Sequence, residues 1–378
     1  MKSYDVVIIG AGIMGLSIGY ELRLRNQKLR IAVVEKGTAG KEASWASVGM
    51  LEPQLIITQD SLNEENGIQR SFLNLCFESQ FIFEEYIRRV EWVSKVNCEY
   101  RKEGILKLIP PDENADEKIA WLARIGIRGH YWDQDEIEKN EPALAEGFSA
   151  IHLPGNHQVE NRKLVKALIY ACKQTNVEII ENCPIADFNI VNDAIADISS
   201  LAEKYSAAHY ILTAGAWSSQ FPGLHGIIPD IRPMRGQIFS MQMPNEKFVR
   251  HAGSLDDFYY VPRNDGRILI GSTVEDVGFN KSVSQDVTDE FLKKLETIFP
   301  NSVYFKAIES WAGLRPVSQD RFPVLGETAL SNLFVAAGHF RNGILLMPIT
   351  ARLMADVILD QKVSPLIQPF STARFFRD

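Results

Sequence analysis

The chain has 378 residues, which suggests about two domains and room for a sizeable core. Hydrophobic residues make up 46% and charged residues 23%, an ordinary globular balance. A net charge of −8 without a long basic run argues against nucleic acid as a partner.

Tyr4–Ile9 is a short apolar run with β-branched residues, and it leads directly into Gly10-Ala11-Gly12-Ile13-Met14-Gly15. A helical stretch through Leu22 follows, then a second apolar run, Ile31–Val34, which stops at Glu35, twenty positions after the last glycine. Strand, glycine turn, helix, strand and acid together form a dinucleotide-binding unit. Gly10 makes the tight turn, Gly12 lets a pyrophosphate approach the backbone, and Gly15 lets the helix pack closely on the sheet. The helix N-terminus offers N–H groups to the phosphates, and Glu35 accepts from the ribose hydroxyls. Lys2 with the apolar stretch Val6–Ile18 has some features of a signal peptide. It fits the dinucleotide unit position by position, however, and no small-residue cleavage site follows.

A loop of small residues, Gly37–Ser47, ends at Val48-Gly49-Met50-Leu51. Residues 63–97 read as a long helix, with Phe72, Leu75, Cys76, Ser79, Phe83 and Tyr86 near one stripe. Ile105–Ile109 is a strand stopped by Pro110-Pro111. Residues 133–139 read as a short helix opened by Asp133, residues 151–154 as a strand, and residues 162–174 as a helix followed by the strand Val177–Ile180. Weak strands between Ile185 and Ala208 suggest a meander, and Tyr210–Trp217 is a buried strand running into a glycine turn. Strands at 237–241, 258–261 and 267–271 follow, the last two joined by the hairpin signal Asn264-Asp265-Gly266. Residues 286–299 read as a helix, Leu333–Gly338 as a strand, and 344–360 as the closing helix. Parallel-type units at both ends and in the middle, with antiparallel signals between them, predict an α/β fold. One cofactor domain is assembled from separated segments, and a sheet-rich second domain is inserted twice.

The four cysteines, Cys76, Cys98, Cys172 and Cys183, form no C-x-x-C pair and have no histidine cluster beside them. No disulfide framework and no metal site are expected, and the pattern fits a reducing cytoplasm. The greasy run at 344–349 is followed by Arg352 and Asp356, so no membrane span and no membrane partner are expected.

The glycine unit by itself does not separate NAD from FAD. Gly338-His339-Phe340-Arg341-Asn342-Gly343 places a second glycine turn before a helix N-terminus. Such a terminus would stabilise the anionic ring of a reduced flavin, although an ordinary strand–turn–helix crossover has the same form. Arg315 has two readings of its own: a planar fork for a carboxylate, or a structural partner for an acid such as Glu309.

Further segments occur in a fixed order: Ala43-Ser44-Trp45-Ala46 with Gly49-Met50, Thr213-Ala214-Gly215-Ala216-Trp217, Trp311-Ala312-Gly313-Leu314-Arg315-Pro316 and Ala337–Leu346. With the N-terminal unit they resemble the D-amino-acid oxidase family of flavoproteins over nearly the whole chain, and within it the glycine oxidase type associated with thiazole (thiamine) biosynthesis. The resemblance implies a discontinuous Rossmann-like FAD-binding domain over 1–75, 155–225 and 308–378. It implies an antiparallel-sheet (α+β) substrate domain over 76–154 and 226–307. It also implies that Gly10, Gly12, Ile13, Met14, Gly15, Glu35, Lys36, Ala43, Ser44, Trp45, Gly49, Met50 and Ile185 surround the FAD. Ala214, Gly215, Trp217, Gly338, His339, Arg341, Asn342, Gly343, Ile344 and Leu345 complete that set. No cysteine follows Cys183, so the flavin is expected to be non-covalent.

In such enzymes a hydride passes from the substrate Cα to flavin N5, which requires a carboxylate clamp and no base. The resemblance places the clamp at Arg315 and Tyr259. It puts Met50 near flavin and substrate, and gives the Arg341 carbonyl the substrate amine. His339 then shapes the turn, and Arg235 is structural. Tyr259 and Tyr260 are strand neighbours and must face opposite ways. Asp257 stands where a histidine is usual, and Val274 where a methionine is usual, both at the substrate pocket in the family. The expected activity is oxidation of a small amino acid (glycine, sarcosine or a small D-amino acid) by O2, to an oxoacid, ammonia and hydrogen peroxide. The alternatives are a dehydrogenase passing electrons to a quinone or carrier, a non-catalytic dinucleotide-binding protein and an NAD-dependent dehydrogenase. A homo-oligomer is compatible with each.

Overall fold

The computed structural model describes residues 1–54, 56–57, 67–111, 113–245 and 248–376. Two eight-stranded sheets organise these residues. The first runs in the order Val324–Glu327, Leu333–Ala337, Lys204–Leu212, Lys2–Ile9, Ile31–Val34, Glu178–Ile180. Its central strands are parallel, and Val6, Val7, Ile8 and Ile9 are all buried because helices cover one face and the meander the other. The antiparallel strands Ile185–Val191 and Ala194–Ser200 branch off Lys204–Leu212.

Lys2–Ile9 lies between its sequence neighbour Ile31–Val34 and the distant Lys204–Leu212. Strand order therefore changes direction at Gly10, the position where α/β sheets bind ligands. Helix Ile13–Arg25 starts there and packs on the closing helix Gly343–Asp360. Phe340–Asp360 is apolar and long enough to cross a membrane, but 78% of its apolar window is buried inside the protein.

The second sheet runs Lys306–Ser318, Ile231–Gln242, Arg267–Gly271, Phe258–Pro262, Ala252–Leu255, Ile105–Ile109, Ser149–Leu153, His130–Trp132. A two-stranded ribbon, Met50–Leu51 with His157–Gln158, lies apart from both sheets.

Several elements differ from the sequence-based expectation. The long helix spans Ile68–Ser94 and ends where Lys95 turns left-handed, at φ 58°. The expected start at 63–66 lies outside the described residues. This helix packs along its length on the closing helix and on Asn161–Gln174, so the boundary expected at 75 cuts through an element of the first layer. The thirteen-residue strand Lys306–Ser318 pairs throughout with Ile231–Gln242. The changeover expected at 308 thus falls within that strand. Its Pro316 sits opposite Pro233 on the sheet edge, beyond the reach of the third strand, and edges are where a strand tolerates proline. The strand expected to run into a glycine turn ends at Leu212, and Gly215–Gln220 forms a 3-10 turn. Helix Ala115–Arg124, capped by the Asn114 side chain, has no counterpart in the sequence reading.

Candidate active site

A cavity of about 500 Å³ runs from the C-terminal end of Lys2–Ile9 to the face of the second sheet. At the first end the glycine turn is tightly built. Gly10 has φ +111°, and a Cβ there would lie 2.6 Å from the Thr213 carbonyl oxygen. A Cβ on Gly15 would meet the Gly10 carbonyl oxygen at 1.9 Å. Gly12 precedes the helix without a side-chain cap of its own, and Ser44 Oγ accepts from Ile13 N–H at 2.9 Å. The Glu35 carboxylate accepts from Ala11 N–H at 2.8 Å and from Gly37 N–H at 3.1 Å. It braces the turn and still has lone pairs for a ribose hydroxyl. Lys36 Nζ lies 3.1 Å from the centroid of the Trp217 ring, and burial lowers its pKa. Ile13, Met14, Ala43, Ser44, Ile185, Ala214, Gly215 and Trp217 border the same space.

Five residues of the expected cofactor set do not border the cavity. Gly15 is taken up by its contact with Gly10, and Gly338 forms a left-handed turn at φ +73°. Leu345 is buried in the core, where its carbonyl accepts from Ser79 Oγ at 2.6 Å. Asn342 donates Nδ2 to the Glu52 carbonyl at 2.9 Å. Lys41 Nζ lies 3.2 Å and the Arg162 guanidinium 5.1 Å from the centroid of the Trp45 ring, which is not part of the cavity lining.

The register of the second sheet sets the other end. Lys107, Ser254, Tyr259, Gly271, Ile238 and Trp311 are successive cross-strand partners, so they share one face. Gly313 and Arg315 follow Trp311 at two-residue steps and project to that face as well. Tyr260 faces the other way and is fully buried. The Arg315 guanidinium donates to the Thr273 carbonyl at 3.0 Å and to Ser272 Oγ at 2.6 Å, and it faces the Tyr259 phenol. Burial lowers its pKa, partly offset by Tyr259. Arg315 and Tyr259 are thus brought together in the cavity, with Met50 alongside.

Glu309, the acid named in the structural reading of Arg315, pairs with Arg162 at 2.5 Å instead. Arg235 has a supporting part: it pairs with Glu275 at 2.5 Å. Burial raises the Glu275 pKa, but hydrogen bonds from Arg235, Gln237 and Thr273 outweigh it and bring the value down to about 2. That network holds Thr273, whose carbonyl orients Arg315.

Turn residues His339, Arg341, Gly343 and Ile344 line the cavity between the two ends. His339 is buried beside Thr350 Oγ1 at 3.1 Å, and burial lowers its pKa to about 3, which leaves the ring neutral. Asp257 marks the mouth: it lines the cavity with its side chain 90% exposed, 3.8 Å from Arg341 Nη2. Val274 is exposed and does not border the cavity, contrary to expectation.

Glu52, Gln54, Lys107 and Ser254 also line the cavity, and sequence reasoning did not single them out. Two signals were available. Lys107 is the one charge in an apolar strand, and Glu52 follows Met50 at the two-residue step of a strand.

The residues present fit an extended dinucleotide, with a glycine cradle and ribose acceptor at one end and a flavin-sized space at the other. The sequence profile of the DAO family, FAD dependent oxidoreductase, matches residues 5–357. The bifunctional protein ThiO/ThiG of Synechocystis sp. is 33% identical, over 98% of this chain and 54% of that one. The chain thus spans about half the length of that relative. A glycine oxidase of Geobacillus kaustophilus is 29% identical over 98% of this chain and 97% of that one. The crystal structure of glycine oxidase from that organism superposes with a TM-score of 0.89 at 28% identity, covering 99% of each chain.

Proposed function

The chain belongs to the DAO family of FAD-dependent oxidoreductases, and from that premise we propose that it oxidises the amine of a small α-amino acid. The carrying observation is the Arg315 guanidinium, seated against Thr273 and Ser272 and facing the Tyr259 phenol in the cavity that begins at the glycine turn.

FAD, when bound, supplies the two-electron acceptor for oxidation of the carbon–nitrogen bond. Gly10, Gly12 and the N-terminus of Ile13–Arg25 would hold its pyrophosphate, and Glu35 its ribose. The turn at His339–Ile344 would lie at the ring. All four cysteines are buried and unpaired, and none lies on that turn, which favours non-covalent binding.

Arg315 and Tyr259 bind and orient the substrate carboxylate. A guanidinium already fixed by two acceptors loses little freedom on binding, and a carboxylate offsets the burial of its charge. Neutral His339 accepts no proton at working pH and serves to shape the turn. The products expected are an oxoacid, ammonia and, with O2 as acceptor, hydrogen peroxide. We extend the reading to a cytoplasmic enzyme of the thiazole (thiamine) branch. The first sheet then belongs to the cofactor domain and the second to the substrate domain.

The test is the visible spectrum of the purified protein, followed by anaerobic addition of glycine, sarcosine and D-alanine. Bleaching of a yellow protein by one of them supports the proposal, and a spectrum unmoved by all three overturns it. Oxygen consumption compared with dye reduction separates an oxidase from a dehydrogenase.

A further inference from the structure

Helix Ile68–Ser94 turns one face to the closing helix and another to solvent. The solvent face carries Glu78, Phe81, Glu85, Arg88 and Trp92, and Lys95 at the C-cap, all exposed. Their spacing alternates between three and four residues, so they fall on one stripe, the seam geometry of a coiled coil. The stripe is about 26 Å long.

Phe81 is 85% exposed and Trp92 75%. Single exposed apolar side chains are ordinary, so exposure alone identifies no partner. The order of side chains along the stripe does. Reversed end to end about the midpoint between Tyr86 and Ile87, the stripe maps onto its own complement: Phe81 onto Trp92, Glu85 onto Arg88, Glu78 onto Lys95. A two-fold axis at that midpoint would set aromatic on aromatic and acid on base in every layer. An isologous interface has this requirement, since residue i meets j and j meets i. An unlike partner would impose no such symmetry on the stripe.

The register is also singled out. Sliding the second helix by one heptad puts Phe81 opposite Glu85 in one direction, and opposite chain beyond the helix end at Ser94 in the other.

The charges are available to a second copy. Among the described residues, the Glu78 and Glu85 side chains have no ion pair or hydrogen bond within the chain. Arg88 gives Nη2 to Glu84 at 2.6 Å and is otherwise open, with its side chain 75% exposed. Lys95 Nζ lies 4.1 Å from the centroid of the Trp92 ring, which adds a cation at the edge of the aromatic layer.

We propose that this stripe is a contact between two copies of the chain, with their Ile68–Ser94 helices antiparallel across the two-fold axis. The contact is small and partly ionic, so the dimer should dissociate on dilution through the micromolar range and weaken with salt. The inference is independent of the reaction that the cavity performs.

Sedimentation velocity of the FAD-loaded protein between about 1 and 100 μM should show a monomer–dimer equilibrium. Glu85→Arg sets a second guanidinium against Arg88 at both related contacts and should raise Kd by about tenfold or more. The double variant Glu85→Arg, Arg88→Glu should bring Kd back towards wild type. The register is tested by cross-linking, because the four native cysteines are buried. Phe81→Cys and Trp92→Cys proteins, mixed and oxidised, should form a covalent dimer, and neither should do so alone. The mixed dimer keeps one Phe81–Trp92 contact intact. A protein that stays monomeric over the whole range overturns the inference and leaves the stripe to an unlike partner. An oligomer whose dissociation is unmoved by Glu85→Arg also overturns it, as assembly then uses another face. A mixture that cross-links no faster than either protein alone overturns it as well.

Discussion

The Arg315 guanidinium occupies the space that a side chain on Gly236 would fill. A Cβ built on Gly236 would fall 2.3 Å from both terminal guanidinium nitrogens. Alanine there must push Arg315 off Thr273 and Ser272, and a displacement of about 1 Å at a binding group costs on the order of a hundredfold. Gly236→Ala is expected to raise KM for the amino acid by about 10–100-fold while FAD content and visible spectrum stay unchanged. Steady-state kinetics on protein of matched flavin content checks this.

Tyr259→Phe removes the phenol that faces Arg315 and leaves the ring packing in place. One hydrogen bond to a charged ligand is worth about 1.5–3 kcal/mol, so KM should rise roughly 10–100-fold. Arg315→Ala removes the charge itself and should lower kcat/KM by a larger factor. Equal activity of Arg315→Ala and wild type on glycine would refute the clamp.

Glu35 braces two backbone N–H groups at the glycine turn. In Glu35→Ala those donors lose their acceptor and the ribose loses its own, so FAD affinity should fall by about tenfold or more. Gly15→Ala should not hold FAD at all, because its methyl meets the Gly10 carbonyl. Trp45→Phe, by contrast, should change FAD affinity little, since that ring does not border the cavity. Fluorimetric titration of apoprotein with FAD distinguishes the three.

His339 gives the stability a defined pH dependence. Its folded pKa is about 3, below the usual 6.5. Between these values the unfolded chain binds a proton that the native chain does not, so stability rises with pH. The contribution of the neutral ring is complete above pH 6.5 and is lost as pH falls towards 3. His339→Gln should be less stable at pH 7, through its altered contact with Thr350, and should lose less on acidification, by on the order of 1 kcal/mol per pH unit in that window. Urea unfolding midpoints at pH 7, 5.5 and 4.5 measure the slope.

The N-terminal unit was legible because each of its residues acts locally: Gly10, Gly15 and Glu35 all serve the turn in which they stand. The pairing of Arg315 with Tyr259 came only through the family resemblance, since it depends on register across four strands far apart in sequence. The edge strand Lys306–Ser318 was hidden by Gly313 and Pro316, two residues that periodicity treats as breakers. That the Trp45 ring does not border the cavity could not be read from its run of small residues, which does not tell which side chain turns outward. Glu52 escaped notice because an acid just after a short apolar pair reads as surface until its burial is known.

Strand Lys306–Ser318 carries Arg315 and then, through Val317, bridges to His339 at the cofactor turn. The proposed substrate anchor and the proposed cofactor turn are therefore joined directly, backbone to backbone, while Lys107 comes from another strand. Selection can alter the Lys107 strand without moving the proposed anchor relative to that turn. Related enzymes could thus diverge in diet while inheriting one reaction geometry.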